Sequence, residues 1–284
     1  MQAAREGCPS PSAAHGPLKT ADDRTLAAMS SRPPPWRVRI HPGDLRCIAL
    51  AALFAALALG LDLLRLARGA TPTEATLASL SHGFAFARTV ACVALVPSGW
   101  RLAASPGDAR ALGALFALVL VADALILLAG MLVPGIAVFL VVQLGLALRH
   151  GAGLPRALRE RPAGRGPVLA RAAGVGLAWC VGMGLLWQPV RAAGLLVPVV
   201  VYSLALGLSL FAALSAVVAG HFGAVRGRAC AWAMVLFVLC DITVATGAAL
   251  AGTVAGRLAD AATGIFYTPS LVLLALSARE ELPR

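Results

Sequence analysis

From residue 45 onward the chain is a succession of apolar runs of about 20 residues, each closed by a short stretch of Gly, Pro, Ser or Arg. Eight such runs stand at roughly 45–67, 77–98, 109–130, 131–149, 168–187, 192–219, 229–252 and 258–277. Each is long enough as a helix to cross the hydrocarbon of a bilayer, and none has the short alternation of a barrel strand. The pattern predicts an all-α fold, a polytopic membrane helical bundle with about eight transmembrane helices over residues 45–277. A very tight turn near Gly130 and Pro134 joins the third span to the fourth. Residues 1–44 are rich in Pro, Ser, Ala and charge; they read as a disordered cytoplasmic tail, or as an over-extended start with Met29 as the initiator. No signal peptide is read there, because the first apolar run is long enough to span. Residues 278–284 form a short C-terminal tail, also expected in the cytoplasm.

Composition excludes a soluble domain: 59% of residues are hydrophobic and 13% charged, with a mean hydropathy of +0.83. A net charge of +11 in isolation fits nucleic acid, but its distribution argues for a membrane and no nucleic-acid partner. Nineteen Lys and Arg fall in the N-terminal region through Arg46, after spans two, four and six, and at the C-terminus. Four (Arg65, Arg68, Arg191 and Arg257) fall on the opposite side, and Arg88 lies inside a span. The bias places both termini in the cytoplasm of a multi-pass protein, with a bacterial inner membrane as the expected location. Trp100 and Trp232 at inner ends and Trp187 at an outer end fit interfacial anchors. The six cysteines have no paired or metal-binding spacing, most lie in apolar runs, and no metal or other cofactor is expected.

Against this background Asp123 and Asp241 stand out. Each sits in the middle of a spanning run, where a carboxylate costs several kcal/mol and defaults to a functional reading. Counting depth from the outer end at 1.5 Å per residue puts Asp123 about 10 Å in and Asp241 about 16 Å in. Arg88 comes to about 15 Å, Tyr202 and Tyr267 to about 14 Å, and Gln143 to about 18 Å. Six polar side chains from six spans thus share a band, and one internal pocket holding all six is the economical expectation. Arg88 is expected to pair with one of the two acids. Asp62 and Arg65 read as an interfacial pair, and His82 and His221 as solvated residues at span ends. The two Asp spans hold the third place in each half of four, a hint of duplication.

At these residues the chain resembles the lysoplasmalogenase-like (YhhN) family of eight-span membrane proteins. The family's Gly-Asp pair is matched by Ala122-Asp123, and its G-x-x-x-F-x-x-x-H by Gly135, Phe139 and, in place of His, Gln143. Its later Tyr is matched by Tyr202, and its F-x-x-S-D by Phe237, Cys240 and Asp241. Its Tyr-Tyr-x-Ala-Gln is matched by Phe266, Tyr267, Pro269 and Ser270, and Arg88-Thr89 stands where a Lys-Pro pair is common.

The resemblance implies cleavage of the vinyl ether bond of lysoplasmalogens, a lysophospholipid substrate drawn from the bilayer. The products are a fatty aldehyde and a glycerophospho-ethanolamine or -choline. Such a bond breaks by protonation at carbon, capture of the oxocarbenium ion by water and collapse of the hemiacetal. That needs a general acid still holding its proton near neutrality, which burial favours for a carboxyl, and an anionic partner for the cation. Asp123 and Asp241 are the expected catalytic pair, the acid being whichever lies farther from Arg88. Arg88, Gln143, Tyr202 and Tyr267 are expected to position water or the headgroup. Two other classes fit the same residues: a small-solute or lipid transporter, given the paired halves and Pro134, Pro198 and Pro269, and a catalytically degenerate relative that only binds lipid.

Overall fold

The computed structural model describes residues 40–68 and 74–280. Most of the tail expected to be unordered, residues 1–39, and the last four residues lie outside that range. Eight helices are long and apolar enough to cross a membrane. They are α1 (Pro42–Arg68), α2 (Glu74–Ser98), α3 (Pro106–Asp123), α4 (Leu132–Gly151), α5 (Arg165–Ala192), α6 (Leu196–Ala219), α7 (Ala224–Ala249) and α8 (Val254–Leu276). A π-helical turn, Ala124–Leu128, continues α3, and a short helix, Leu154–Glu160, lies between α4 and α5.

Helix starts follow local chemistry. Asp44 reaches back to accept from the His41 N–H at 2.8 Å, with Pro42 at the first helical position. Ser105 caps α3 ahead of Pro106, and Thr253 caps α8 by accepting from Gly256 N–H at 3.0 Å. Gly130, at φ +66°, supplies the left-handed residue in the tight turn between α3 and α4.

Seven helices close into a ring in the order α1, α2, α3, α4, α6, α7, α8, with α8 returning to α1 and α2. Helix α5 packs on the outside, chiefly against α6, where Trp179 donates to Ser203 at 2.9 Å. The contact of α4 with α6 corresponds to that of α8 with α2, as α2–α3 corresponds to α6–α7, so the two halves repeat much of one pattern. Phe116, Phe237, Leu95, Met234 and Leu271 fill the centre. On α6 Ala205, Ser209, Ala212, Ala213 and Ala216 are buried, small enough for neighbouring backbones to close in. The outward faces carry large apolar side chains such as Leu53, Leu185, Leu208 and Ile265, as a lipid solvent demands.

Candidate functional site

Asp123 is the last α-helical residue of α3, and the π turn begins immediately after it. Such turns insert one residue into the helical register and recur at functional sites. Here the turn is backed by Gly135 on α4, where a β-carbon would stand within 2.3 Å of the Ile126 side chain, so only glycine lets the two segments approach. Asp123 is buried, and its Oδ2 accepts from the Thr89 hydroxyl at 2.5 Å and from the Tyr267 hydroxyl at 3.0 Å.

Arg88 neighbours this carboxyl without an ion pair to it. The guanidinium lies over the Tyr267 ring, 5.1 Å from its centre. No hydrogen bond or salt bridge reaches it among the described residues, and its Nε is buried without a partner. The expected Arg–Asp pair is therefore bridged by a phenol, whose ring takes the cation while its hydroxyl takes the carboxyl. Arg88 remains within electrostatic reach of Asp123, whereas the neighbour acting on Asp241 is Tyr202.

Asp241, on α7, is half-buried, and its Oδ2 accepts from the Tyr202 hydroxyl on α6 at 2.7 Å. Gln143 is fully buried beside Tyr202; its Oε1 accepts from Ser209 at 2.6 Å and its Nε2 has no partner. Phe237 packs edge-on between Phe139 at 6.1 Å and Tyr267 at 5.7 Å. The six polar side chains expected in one pocket thus form two adjoining clusters, Arg88–Asp123–Tyr267 and Asp241–Tyr202 with Gln143 alongside. Each acid has its own phenol, and aromatic rings fill the centre. Cys240 lies within electrostatic reach of both acids and of Arg88. The clusters are related by the repeat: Asp123 on α3 is served from α2 and α8, and Asp241 on α7 is served from α6, with Gln143 of α4 beside that phenol.

Two grooves open on the membrane-facing surface, each about 370 Å³. One, beside Pro97 and Trp100, runs between α2 and α3. The other runs between α1 and α8, with Ile48, Ala52 and Ala55 on one wall and Gly264, Thr268 and Val272 on the other. Neither is lined by Asp123 or Asp241.

At the end of the bundle away from the termini, Asp62 pairs with Arg65 at 3.3 Å and accepts from Ser81 at 2.7 Å. His82 is exposed there, as expected, but His221 at the other end is half-buried, with Nε2 3.1 Å from the carbonyl of His150. Two buried ionic clusters escaped the sequence reading. Arg279 and Asp44 pair at 2.9 Å, almost fully buried, with Ser98 bonding the same acid. Asp108 holds both Arg149, through two bonds of 2.6 and 2.9 Å, and Arg226 at 2.9 Å, with Phe222 stacked against both guanidiniums. Their members lie far apart in the chain and at span ends, where charge reads as solvated. Among the described residues no group of three or more His, Cys, Asp or Glu could hold a metal ion. Comparison with protein-family models, with curated proteins and with solved structures finds no match for this chain.

Proposed function

We propose that this protein is an intramembrane hydrolase that cleaves the vinyl ether bond of lysoplasmalogens. The observation that carries the reading is the unequal support of two intramembrane acids. Asp123 accepts two hydroxyl hydrogen bonds and lies near an arginine, whereas Asp241 accepts one phenol and no cation acts on it among the described residues. Unlike surroundings let two carboxyls divide the roles of acid and anion. Asp241 is the donor: its proton goes to the alkenyl carbon beta to the ether oxygen, and an oxocarbenium ion forms at the other carbon. The Asp123 carboxylate, held by Thr89 and Tyr267, stabilises that cation and orients water. Water adds to the cationic carbon and returns a proton to Asp241. The hemiacetal then loses the glycerol oxygen as a hydroxyl, leaving a fatty aldehyde and the glycerophospho-headgroup.

The test is aldehyde release from a lysoplasmenylethanolamine by the purified chain in detergent. Wild type should turn over, and Asp241→Asn and Asp123→Asn should each lose about 10²–10⁴-fold, the usual worth of acid–base catalysis. Full activity in either variant would remove that residue from the mechanism, and a wild type that releases no aldehyde would end the reading. The repeated contact pattern of the two halves favours one other reading, a transporter. Uptake of a lipid or small solute into vesicles without aldehyde formation would select it.

A further inference from the structure

The groove between α2 and α3 lies at the end of the bundle that carries the termini, and a proline and two small residues shape it. Pro97 lacks the N–H that the Val93 carbonyl would take in a regular helix, and its ring crowds that turn of α2. Across the seam Gly113 and Ala114 keep the α3 wall low. The Trp100 indole rests against Gly113, with Nε1 4.0 Å from the point a β-carbon there would occupy. The space of about 370 Å³ falls within the ~300–1,000 Å³ of small-molecule sites.

Its lining is apolar except at the mouth. Trp100 follows the end of α2, Arg110 lies in the first turns of α3, and both are exposed. Arg110 gives its Nε to the Pro106 carbonyl at 3.3 Å, and no carboxylate pairs with its remaining N–H groups among the described residues. Two acids at this end are engaged elsewhere, Asp44 by Arg279 and Asp108 by Arg149 and Arg226. No acid lines the groove. A guanidinium and an indole N–H thus stand at the head of a hydrocarbon slot to which the protein supplies no anion.

We propose that this groove holds one acyl chain of an anionic diacyl phospholipid from the leaflet on the side of the termini, its phosphate received by Arg110 and Trp100. The planar guanidinium fork matches phosphate oxygens. Basic pockets between helices on the cytoplasmic side, where the termini are expected, attract anionic headgroups. A zwitterionic lipid gains less there, because its amine meets no acid. The chain runs along Val96 and Val93 toward the bilayer centre. Val93 is one turn from Thr89, whose hydroxyl donates to Asp123, so the lipid braces the α2–α3 seam that holds this acid. The lipid is neither substrate nor product of the reaction proposed above, and the site stands whether or not the chain is a hydrolase.

The experiment places the full chain in phosphatidylcholine nanodiscs doped with either phosphatidylglycerol or phosphatidylcholine carrying a photoreactive acyl chain, and maps the labelled peptides. Phosphatidylglycerol should label α2 and α3 around Pro97 and Gly113 more strongly than phosphatidylcholine does. Arg110→Gln, at an exposed position, should cut that preference about fivefold, the worth of one basic residue beside a membrane surface. Ala114→Trp, which fills the groove from an exposed position on its α3 wall, should abolish the label there. Arg159→Gln changes an exposed arginine at the same end but outside the groove, and should leave the preference as it is. An equal loss in Arg159→Gln would reduce the effect to the charge of the whole surface and overturn the proposal. So would wild-type labelling in Ala114→Trp, or equal labelling by the two lipids.

Discussion

Gln143 sits at the end of a short hydroxyl relay and uses half of its amide. Its carbonyl is committed to Ser209, while its Nε2 is buried and unsatisfied beside Tyr202. A donor left unsatisfied in a dry interior costs about 1–3 kcal/mol and invites a water or a substrate oxygen. An amide cannot titrate, so a residue here that relayed protons would be a histidine. Gln143→His should therefore change the hydrolase rate by less than about tenfold, since the two acids already supply donor and anion. Initial rates of aldehyde release measure this, and an inert wild type restored by the histidine would reverse the assignment. Single residues were the most legible scale of this chain. Asp123, Asp241 and Arg88 declared themselves because ionisable groups are rare within apolar runs. Their partners did not, because a hydroxyl such as Thr89 or Ser209 is unremarkable in any helix, and that the Tyr267 ring stands between Arg88 and Asp123 depends on side-chain direction that no spacing encodes.

Among the elements, the two helix ends joined by Arg279 are the ones that local pattern missed. The backbone of residues 278–280 pairs with 102–104, which carries Arg279 under α2 to meet Asp44, Ser98 and the Leu95 carbonyl. Gly99 lies flat against the guanidinium, where a β-carbon would collide with it at 1.9 Å. Removing one partner of a buried pair strands the other charge, so Asp44→Ala should destabilise by about 3–5 kcal/mol. Unfolding in detergent, followed by helical signal against temperature, gives the measurement. The double change Asp44→Leu with Arg279→Leu should recover much of that loss, whereas a double change as unstable as the single one would assign the role to packing alone. The spans themselves were readable to within a few residues, because apolar length is what a bilayer selects. The π turn after Asp123 was not, since a one-residue shift of register leaves no mark on composition.

For the whole molecule, the eight spans and the lopsided basic residues set the expectation of how the chain threads the membrane. Reporter fusions at residue 190 and at residue 225 should fall on opposite sides, the latter with the termini. Identical compartments for both would remove the topology. Ring order was beyond reach of the sequence, because lipid-facing and core-facing residues are equally apolar and amphipathic periodicity fades. That explains how α5 could read as an equal member of the bundle when only Val168 and Met183 on it are buried.

The bond between Tyr267 and Asp123 joins residues 144 apart in the chain. At ribosomal speeds that separation is time, on the order of ten seconds of synthesis. For that interval α3 holds its acid within the bilayer with Thr89 as the one hydrogen-bond partner already made, and the phenol arrives only with the last helix. The first seven helices therefore assemble around an incomplete centre. A chain that stops before α8 leaves Asp123 with the Thr89 hydroxyl and without the Tyr267 phenol.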